Sequence, residues 1–69
     1  MPLVKRSLSL AGHRTSLSLE PEFWAVLDRA AREDGVSLAA LVGTIDDARG
    51  ADPLASSVRV WVLKRVEEG

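Results

Sequence analysis

The segment from Arg14 to Leu19 constrains the fold more than any other part of the chain. Its residues alternate, so Leu17 and Leu19 share one face of a strand while Arg14, Ser16 and Ser18 share the other. An amphipathic helical pattern follows at once. A lone strand feeding helices in so small a chain exposes an unpaired edge. We therefore expect it to pair with a second copy as a two-stranded antiparallel ribbon.

A near-repeat precedes this strand. Residues 6–10 read Arg-Ser-Leu-Ser-Leu and residues 15–19 read Thr-Ser-Leu-Ser-Leu, with Ala-Gly-His between them. Both copies alternate with a period of two, and Gly12 suits a turn with positive φ. We interpret residues 1–13 as an N-terminal arm or strand and residues 14–19 as the ribbon strand. Whether residues 5–10 pair within the chain or across a dimer stays open at this point.

Two helices are predicted directly after the ribbon strand. The first covers residues 21–34, with Pro21 in its first turn and Gly35 as a left-handed cap. The second covers residues 38–49 and starts after Ser37, whose hydroxyl can accept a main-chain N–H.

The last segment, residues 53–67, has mixed signals. Its run of Val residues suits a strand. Apolar side chains at helical spacing, Asp52-Pro53 at the start and Lys64-Arg65 at the end favour a helix instead. The expected fold is therefore mostly α with a short N-terminal β-ribbon: β-α-α plus a third, C-terminal helix.

The apolar residues indicate a dimer. The chain has 69 residues and no cysteine, so neither disulfides nor thiolate metal sites support the fold, yet 46% of its residues are hydrophobic. This surplus over a small interior indicates an obligate homodimer. The candidate core and dimer-contact residues are Leu17, Leu19, Phe23, Val26, Leu27, Leu38, Leu41, Val42 and Ile45.

The charge is unevenly distributed. The net charge is −1, but the first 19 residues carry Lys5, Arg6 and Arg14 and no acid. Dimerisation would bring two such basic segments onto one face, and attraction to a polyanion depends on that local field. A two-stranded ribbon with short polar side chains also fits the DNA major groove. The partner expected from this pattern is double-stranded DNA.

Other function classes find little support. His13 is the single histidine, and without cysteine it leaves no metal or cofactor site. No nucleophile–base pair or G-x-S-x-G motif indicates an enzyme. The chain shows neither a membrane-spanning apolar run nor the apolar region of a signal peptide, so a cytoplasmic location is the expectation.

Strand, helix, Gly-x-Ser and helix in this order resemble the ribbon-helix-helix superfamily of dimeric transcription factors. The resemblance is closer to a subgroup of small bacterial predicted DNA-binding proteins and extends over nearly the whole chain. The matching elements are Lys5-Arg6-Ser, Gly12-His13-Arg14-Thr15-Ser16, Leu19-Glu20, Phe23-Trp24, Leu38…Leu41-Val42…Ile45-Asp46, Leu54-Ala-Ser-Ser, Arg59-Val and Val62-Leu63.

The resemblance implies a homodimer whose paired strands enter the major groove while the start of the second helix binds phosphate. By position, Arg14, Ser16 and Ser18 would face the bases. The implied phosphate contacts are Lys5, Arg6, Val36 and Ser37. Val36 and Ser37 are expected to offer free main-chain N–H groups at the positive end of that helix.

The function expected is a sequence-specific transcriptional regulator, a repressor, that binds DNA as a homodimer, with higher-order assembly on DNA left open. Two alternatives remain. One is an antitoxin that uses the same dimer to bind a toxin. The other is a protein-interaction module that uses this fold without DNA.

Overall fold

The computed structural model describes residues 2–69 as a β-hairpin followed by three helices. The order of strands and helices is the predicted one, and the ambiguous last segment is a helix, which starts after Pro53. The elements are β1 (Val4–Leu10), β2 (His13–Leu19), α1 (Pro21–Asp34), α2 (Leu38–Ala48) and α3 (Leu54–Glu68).

The first strand pairs with the second strand of its own chain. β1 and β2 are antiparallel, and Leu10 lies opposite His13, which leaves a two-residue turn of Ala11 and Gly12. Ala11 has φ 50° and Gly12 has φ 82°. Positive φ at both central residues is the type I′ pattern, whose twist matches that of the flanking strands. The pairing left open for residues 5–10 is therefore within the chain.

The two faces of the hairpin differ in burial. Leu8, Leu10, Leu17 and Leu19 lie on one face and are buried against the helices. α2 contacts β1, and α3 contacts β2. The opposite face is polar and carries the candidate DNA contacts.

The hydrophobic core is assembled from the elements of one chain. Leucines of both strands, Trp24 and Leu27 of α1, residues of α2 and Val58 of α3 share one buried cluster. Of the predicted core residues, Leu17, Leu19, Leu27, Leu41, Val42 and Ile45 are buried, while Phe23, Val26 and Leu38 are partly buried against them.

Two arginines of α3 form ion pairs with acidic residues at the two ends of α1. Arg59 donates to the Glu20 carboxylate at 3.0 Å, and Arg65 donates to Asp34 at 2.8 Å. The pKa of Glu20 is lowered by its own main-chain amide and by the Arg59 guanidinium. The pKa of Asp34 is lowered by its hydrogen bonds from Arg65. These bonds hold α3 beside both ends of α1.

Within residues 2–69, none of the helices is long and apolar enough to cross a bilayer.

Candidate nucleic-acid interface

The outer face of the hairpin is polar and carries no acidic side chain. The register places Lys5 opposite Ser18, Ser7 opposite Ser16 and Ser9 opposite Arg14. Because side chains alternate along each strand, all of these residues share the face opposite the buried leucines. The side chains of this outer face are Lys5, Ser7, Ser9, Arg14, Ser16 and Ser18.

The structure brings together the three residues expected to face bases. Arg14 and Ser16 are exposed, and Ser18 is half-buried. Lys5, expected to bind phosphate, is exposed on the same face. Lys5 and Arg14 lie near opposite ends of the hairpin, because Lys5 pairs with Ser18 at the open end while Arg14 lies beside the turn. Short serine side chains separate the two cations.

Arg6 lies on the other face. Its Nη1 and Nη2 donate to the Asp28 carboxylate at 3.0 and 3.2 Å, and its guanidinium lies 4.5 Å from the centre of the Trp24 ring. Arg6 is therefore engaged within the chain and is not brought together with Lys5 and Arg14. The sequence already indicated that Arg6 lies on the face of the buried leucines, because Arg6 and Leu8 are two residues apart in the strand, whereas Lys5 points to the other face.

Trp24 fastens the start of β1 to α1. Its Nε1 donates to the main-chain oxygen of Val4 at 2.8 Å, and its ring is buried. Together with the Arg6–Asp28 pair, this bond fixes the segment that carries Lys5. Trp24 and Asp28 thus position the outer face without lying on it, a role that sequence reasoning missed.

The start of α2 differs in one respect from the expectation. Ser37 is the N-cap, and its Oγ accepts from the main-chain N–H of Ala40 at 3.0 Å. The N–H of Val36 is not free, because it donates to the main-chain oxygen of Ala31 at 3.0 Å. The N–H of Gly35 donates to the oxygen of Arg32 in the same motif, which terminates α1. The prediction that Val36 offers a free N–H to phosphate is therefore wrong.

The N–H of Ser37, also predicted to be free, makes no main-chain hydrogen bond within residues 2–69, and the next residues add further amides at this helix end. As the first two helical positions, Leu38 and Ala39 have N–H groups with no acceptor inside the helix. The sequence does contain a signal for the loss of the Val36 amide. A left-handed glycine such as Gly35 commonly ends a helix in a motif that also uses the N–H of the residue after it.

α2 starts close to the hairpin turn. Ala39, Ala40, Gly43 and Thr44 line a shallow groove whose opposite wall is the turn end of the hairpin, from Ser9 to Ala11. Most of the length of α2, its positive end included, therefore runs beside the turn end of the hairpin.

Acidic residues of α2 lie along the same groove. Asp46 and Asp47 contribute to its lining, and Asp46 accepts a bond from Arg49 at 2.6 Å. Their carboxylates add negative charge to the groove beside the turn end of β1.

His13 is exposed beside the turn. In the part of the chain that the structure describes, no group of three His, Asp or Glu side chains gathers as a metal site would require.

Comparison with known proteins places this architecture in a family. A family model described as a ribbon-helix-helix domain matches residues 3–66, which include both strands and nearly all of the three helices. The comparisons with curated proteins and with solved structures find no match. The match spans the hairpin, the left-handed turn after α1 and the capped start of α2, and so the chain belongs to the ribbon-helix-helix domain family.

Proposed function

We propose that this protein is a sequence-specific DNA-binding regulator that acts as a homodimer and represses transcription at short repeated operator half-sites. The observation that carries the proposal is the outer face of the hairpin, which presents Arg14, Ser16, Ser18 and Lys5 together and contains no carboxylate. A regulator in this family generally uses such a ribbon in the major groove. The chemistry proposed is recognition without catalysis and without a cofactor.

The residues of the outer face have different proposed roles in binding bases and phosphate. Arg14 can donate two bonds to O6 and N7 of guanine, which is worth about 1–3 kcal/mol of discrimination against another base. Ser16 and Ser18 can donate to or accept from any base edge, so they contribute fit more than selectivity. Lys5 contacts phosphate and adds an affinity that falls with salt.

The start of α2 fixes the register on the duplex. The N–H groups of Leu38 and Ala39 point out of the positive helix end, a favourable position for a phosphate. Ser37 shapes that end by capping Ala40, and its exposed position leaves it free to approach the backbone of DNA. Phosphate contacts of this kind orient a protein on DNA and carry no base information.

The testing experiment is fluorescence anisotropy with duplex DNA from upstream of the protein's own gene, beside a scrambled duplex, over a salt series. We expect tighter binding to the upstream duplex and an affinity that falls with salt in proportion to the phosphates contacted. Arg14→Ala should weaken binding to the upstream duplex by roughly 10- to 100-fold. Arg29→Ala removes an exposed cation from α1 and serves as the matched control. Equal binding to both duplexes with no salt slope would refute the proposal.

A second candidate is an antitoxin, in which the same DNA-binding dimer also binds a toxin. The observation that favours it is the exposed set of large apolar side chains on α3, namely Val60, Leu63 and Val66. Pull-down with the product of a neighbouring gene distinguishes the two, because a repressor without a toxin partner would retain no such protein.

A further inference from the structure

We propose that the groove between α2 and α3 binds a small planar aromatic carboxylate that carries a hydrogen-bond donor at its opposite end. The groove lies where the C-terminal half of α2 meets the first turns of α3, and its volume is about 320 Å³. That volume is within the range of small-molecule sites. The residues of the proposed DNA interface lie outside this groove, so the inference goes beyond the proposed function and does not depend on it.

The groove is open because small side chains line it from both helices. Ala48 of α2 and Ser56 and Ser57 of α3 are among these residues. Earlier in α2, the larger residues Leu41 and Ile45 belong to the buried core cluster. The packing between the two helices therefore ends in an opening on the side of the α2–α3 turn. Its lining is ready to contact a ligand without a rearrangement of the core.

Apolar side chains form much of the wall of the groove. Ile45 lines it from α2, and Val60 and Trp61 line it from α3. Trp61 is half-buried against the core, and the Arg65 guanidinium lies 5.5 Å from the centre of its ring. Arg65 is itself bonded to Asp34 at 2.8 Å, which restrains the indole. A flat aromatic ring would gain apolar contact and stacking on this preformed surface.

A cation lies at one end of the groove. Lys64 lines the groove and is exposed, and within residues 2–69 its ammonium group forms no ion pair. The other cation of the lining is Arg49, whose Nε donates to Asp46 and whose Nη1 donates to the main-chain oxygen of Asp52, both at 2.6 Å. Lys64 is therefore the cation that a ligand can engage. A single ammonium group matches the single negative charge of a carboxylate.

The other end of the groove accepts hydrogen bonds. Asp52 lies there together with the hydroxyls of Ser56 and Ser57. Arg49 bonds the main-chain oxygen of Asp52, so the carboxylate can accept from a ligand. Ser56 and Lys64 are eight residues apart on α3, or about 12 Å along the helix. A ligand with a carboxylate at one end and a hydroxyl at the other matches this polarity in one orientation, because Asp52 repels its carboxylate.

The closed end of the groove favours a small molecule over a segment of another protein. α2 and α3 are consecutive, and the turn between them ends the groove at Asp52. The N–H of Asp52 donates to the main-chain oxygen of Arg49 at 3.2 Å, which tightens this turn. A helix of a partner is about 10–12 Å wide with its side chains and would need a groove that is open at both ends.

An NMR titration of the full-length protein with 6-hydroxy-2-naphthoate tests the site. This probe has the planar body, the carboxylate and the opposite hydroxyl. The two tryptophans provide an internal comparison, because Trp61 lines the groove while the Nε1–H of Trp24 is bonded to Val4 on the far side of the core. We expect saturable shifts of the Trp61 indole N–H, with a dissociation constant on the order of 1 mM or below, and no shift of the Trp24 indole.

A neutral analogue and a lysine variant test the carboxylate. 6-Hydroxy-2-naphthamide has the same shape without the charge, and we expect it to bind roughly three- to fivefold more weakly. Lys64→Gln should weaken binding of the carboxylate by the same factor and leave the amide unaffected. Lys5→Gln, at the only other lysine of the chain, is the matched control for probe affinity. Equal affinity of the two probes for the unmodified protein would overturn the ligand class.

Filling the groove tests the location. Ala48→Leu should abolish the Trp61 shifts, while Ala25→Leu, the same change at an exposed position of α1, should leave them intact. Circular dichroism checks that each variant is folded. Binding that persists in a folded Ala48→Leu protein, equal shifts of both indoles, or no saturable shift of Trp61 would overturn the site. Shifts of Trp61 with protein concentration alone would show that a second copy covers the groove, and would overturn it as well.

Discussion

Arg6 stacks on Trp24 with its guanidinium 4.5 Å from the ring centre, while the same guanidinium bonds Asp28. One cation thereby holds a strand to a helix 22 residues further along the chain. The neighbouring Lys5 points the opposite way and is exposed. Two adjacent basic residues therefore have different tasks, and mutation can separate them.

Arg6→Ala should reduce stability, and Lys5→Ala should reduce salt-dependent DNA binding. Arg6 and Asp28 are both partly exposed, so solvent screens their attraction, and loss of the pair and of the stacking should cost about 1–2 kcal/mol of unfolding free energy. Urea denaturation measures that loss, and Lys5→Ala should leave the midpoint unchanged. The salt slope of DNA binding should become shallower only in Lys5→Ala. A shallower slope in a fully folded Arg6→Ala protein would show that Arg6 contacts phosphate.

Ala11→Asn should stabilise the protein. Ala11 adopts φ 50° in the turn, a conformation that costs residues with a β-carbon about 1–2 kcal/mol but that asparagine tolerates better. We expect a gain of about 0.5–1 kcal/mol in unfolding free energy, measured by thermal and urea denaturation. Gly12→Ala is the opposing control, because Gly12 has φ 82° and alanine should destabilise there. Destabilisation by Ala11→Asn would argue against a type I′ turn.

Ser37→Ala and Ser37→Asp should separate helix capping from phosphate binding. The Ser37 hydroxyl caps Ala40, and its loss in Ser37→Ala should cost about 0.5–2 kcal/mol of stability. Ser37→Asp keeps a capping oxygen, so the stability should be retained. Its negative charge beside the proposed phosphate site should nevertheless weaken DNA binding. Binding unchanged in Ser37→Asp would place the start of α2 away from the DNA.

Acid should loosen the attachment of α3 to α1. Because the folded pKa values of Glu20 and Asp34 are lowered, their contribution to stability is fully present above the ordinary values of 4.5 and 3.8. It is lost as pH falls through the lower folded values. Chemical denaturation as a function of pH should show this acid limb. Arg59→Gln removes one cause of the Glu20 shift, and it should make the limb shallower by reducing stability at neutral pH more than at acid pH.

Local patterns were sufficient to predict most of the fold. Alternation identified β2, the Pro21 and Gly35 signals bounded α1, and Ser37 marked the start of α2. The near-repeat around Gly12 suggested a hairpin, but alternation in two segments says nothing about which chain supplies the partner strand. The answer depends on the two-residue turn that joins Leu10 to His13.

The candidate site was predictable where it followed the strand period, as for Arg14, Ser16 and Ser18. It was less predictable where tertiary contacts decide the outcome. The strand period already placed Arg6 on the face of the buried leucines, but no local pattern identifies Trp24 and Asp28 as its partners. The amide of Val36 was lost to the terminating motif of the preceding helix. All nine residues predicted for the core and dimer contact are buried or partly buried in the core of one chain, and a local pattern does not distinguish these two roles.

The core completed by one chain has a consequence for dosage. Because the buried cluster draws on all the elements of one chain, we expect single units to exist beside pairs, rather than the obligate homodimer expected from composition, and the proposed function needs a pair. While single units predominate, mass action makes the number of pairs rise with the square of the chain's concentration. Doubling synthesis would then roughly quadruple the DNA-competent species. A target gene would respond steeply to this protein when it is scarce and gradually when it is abundant.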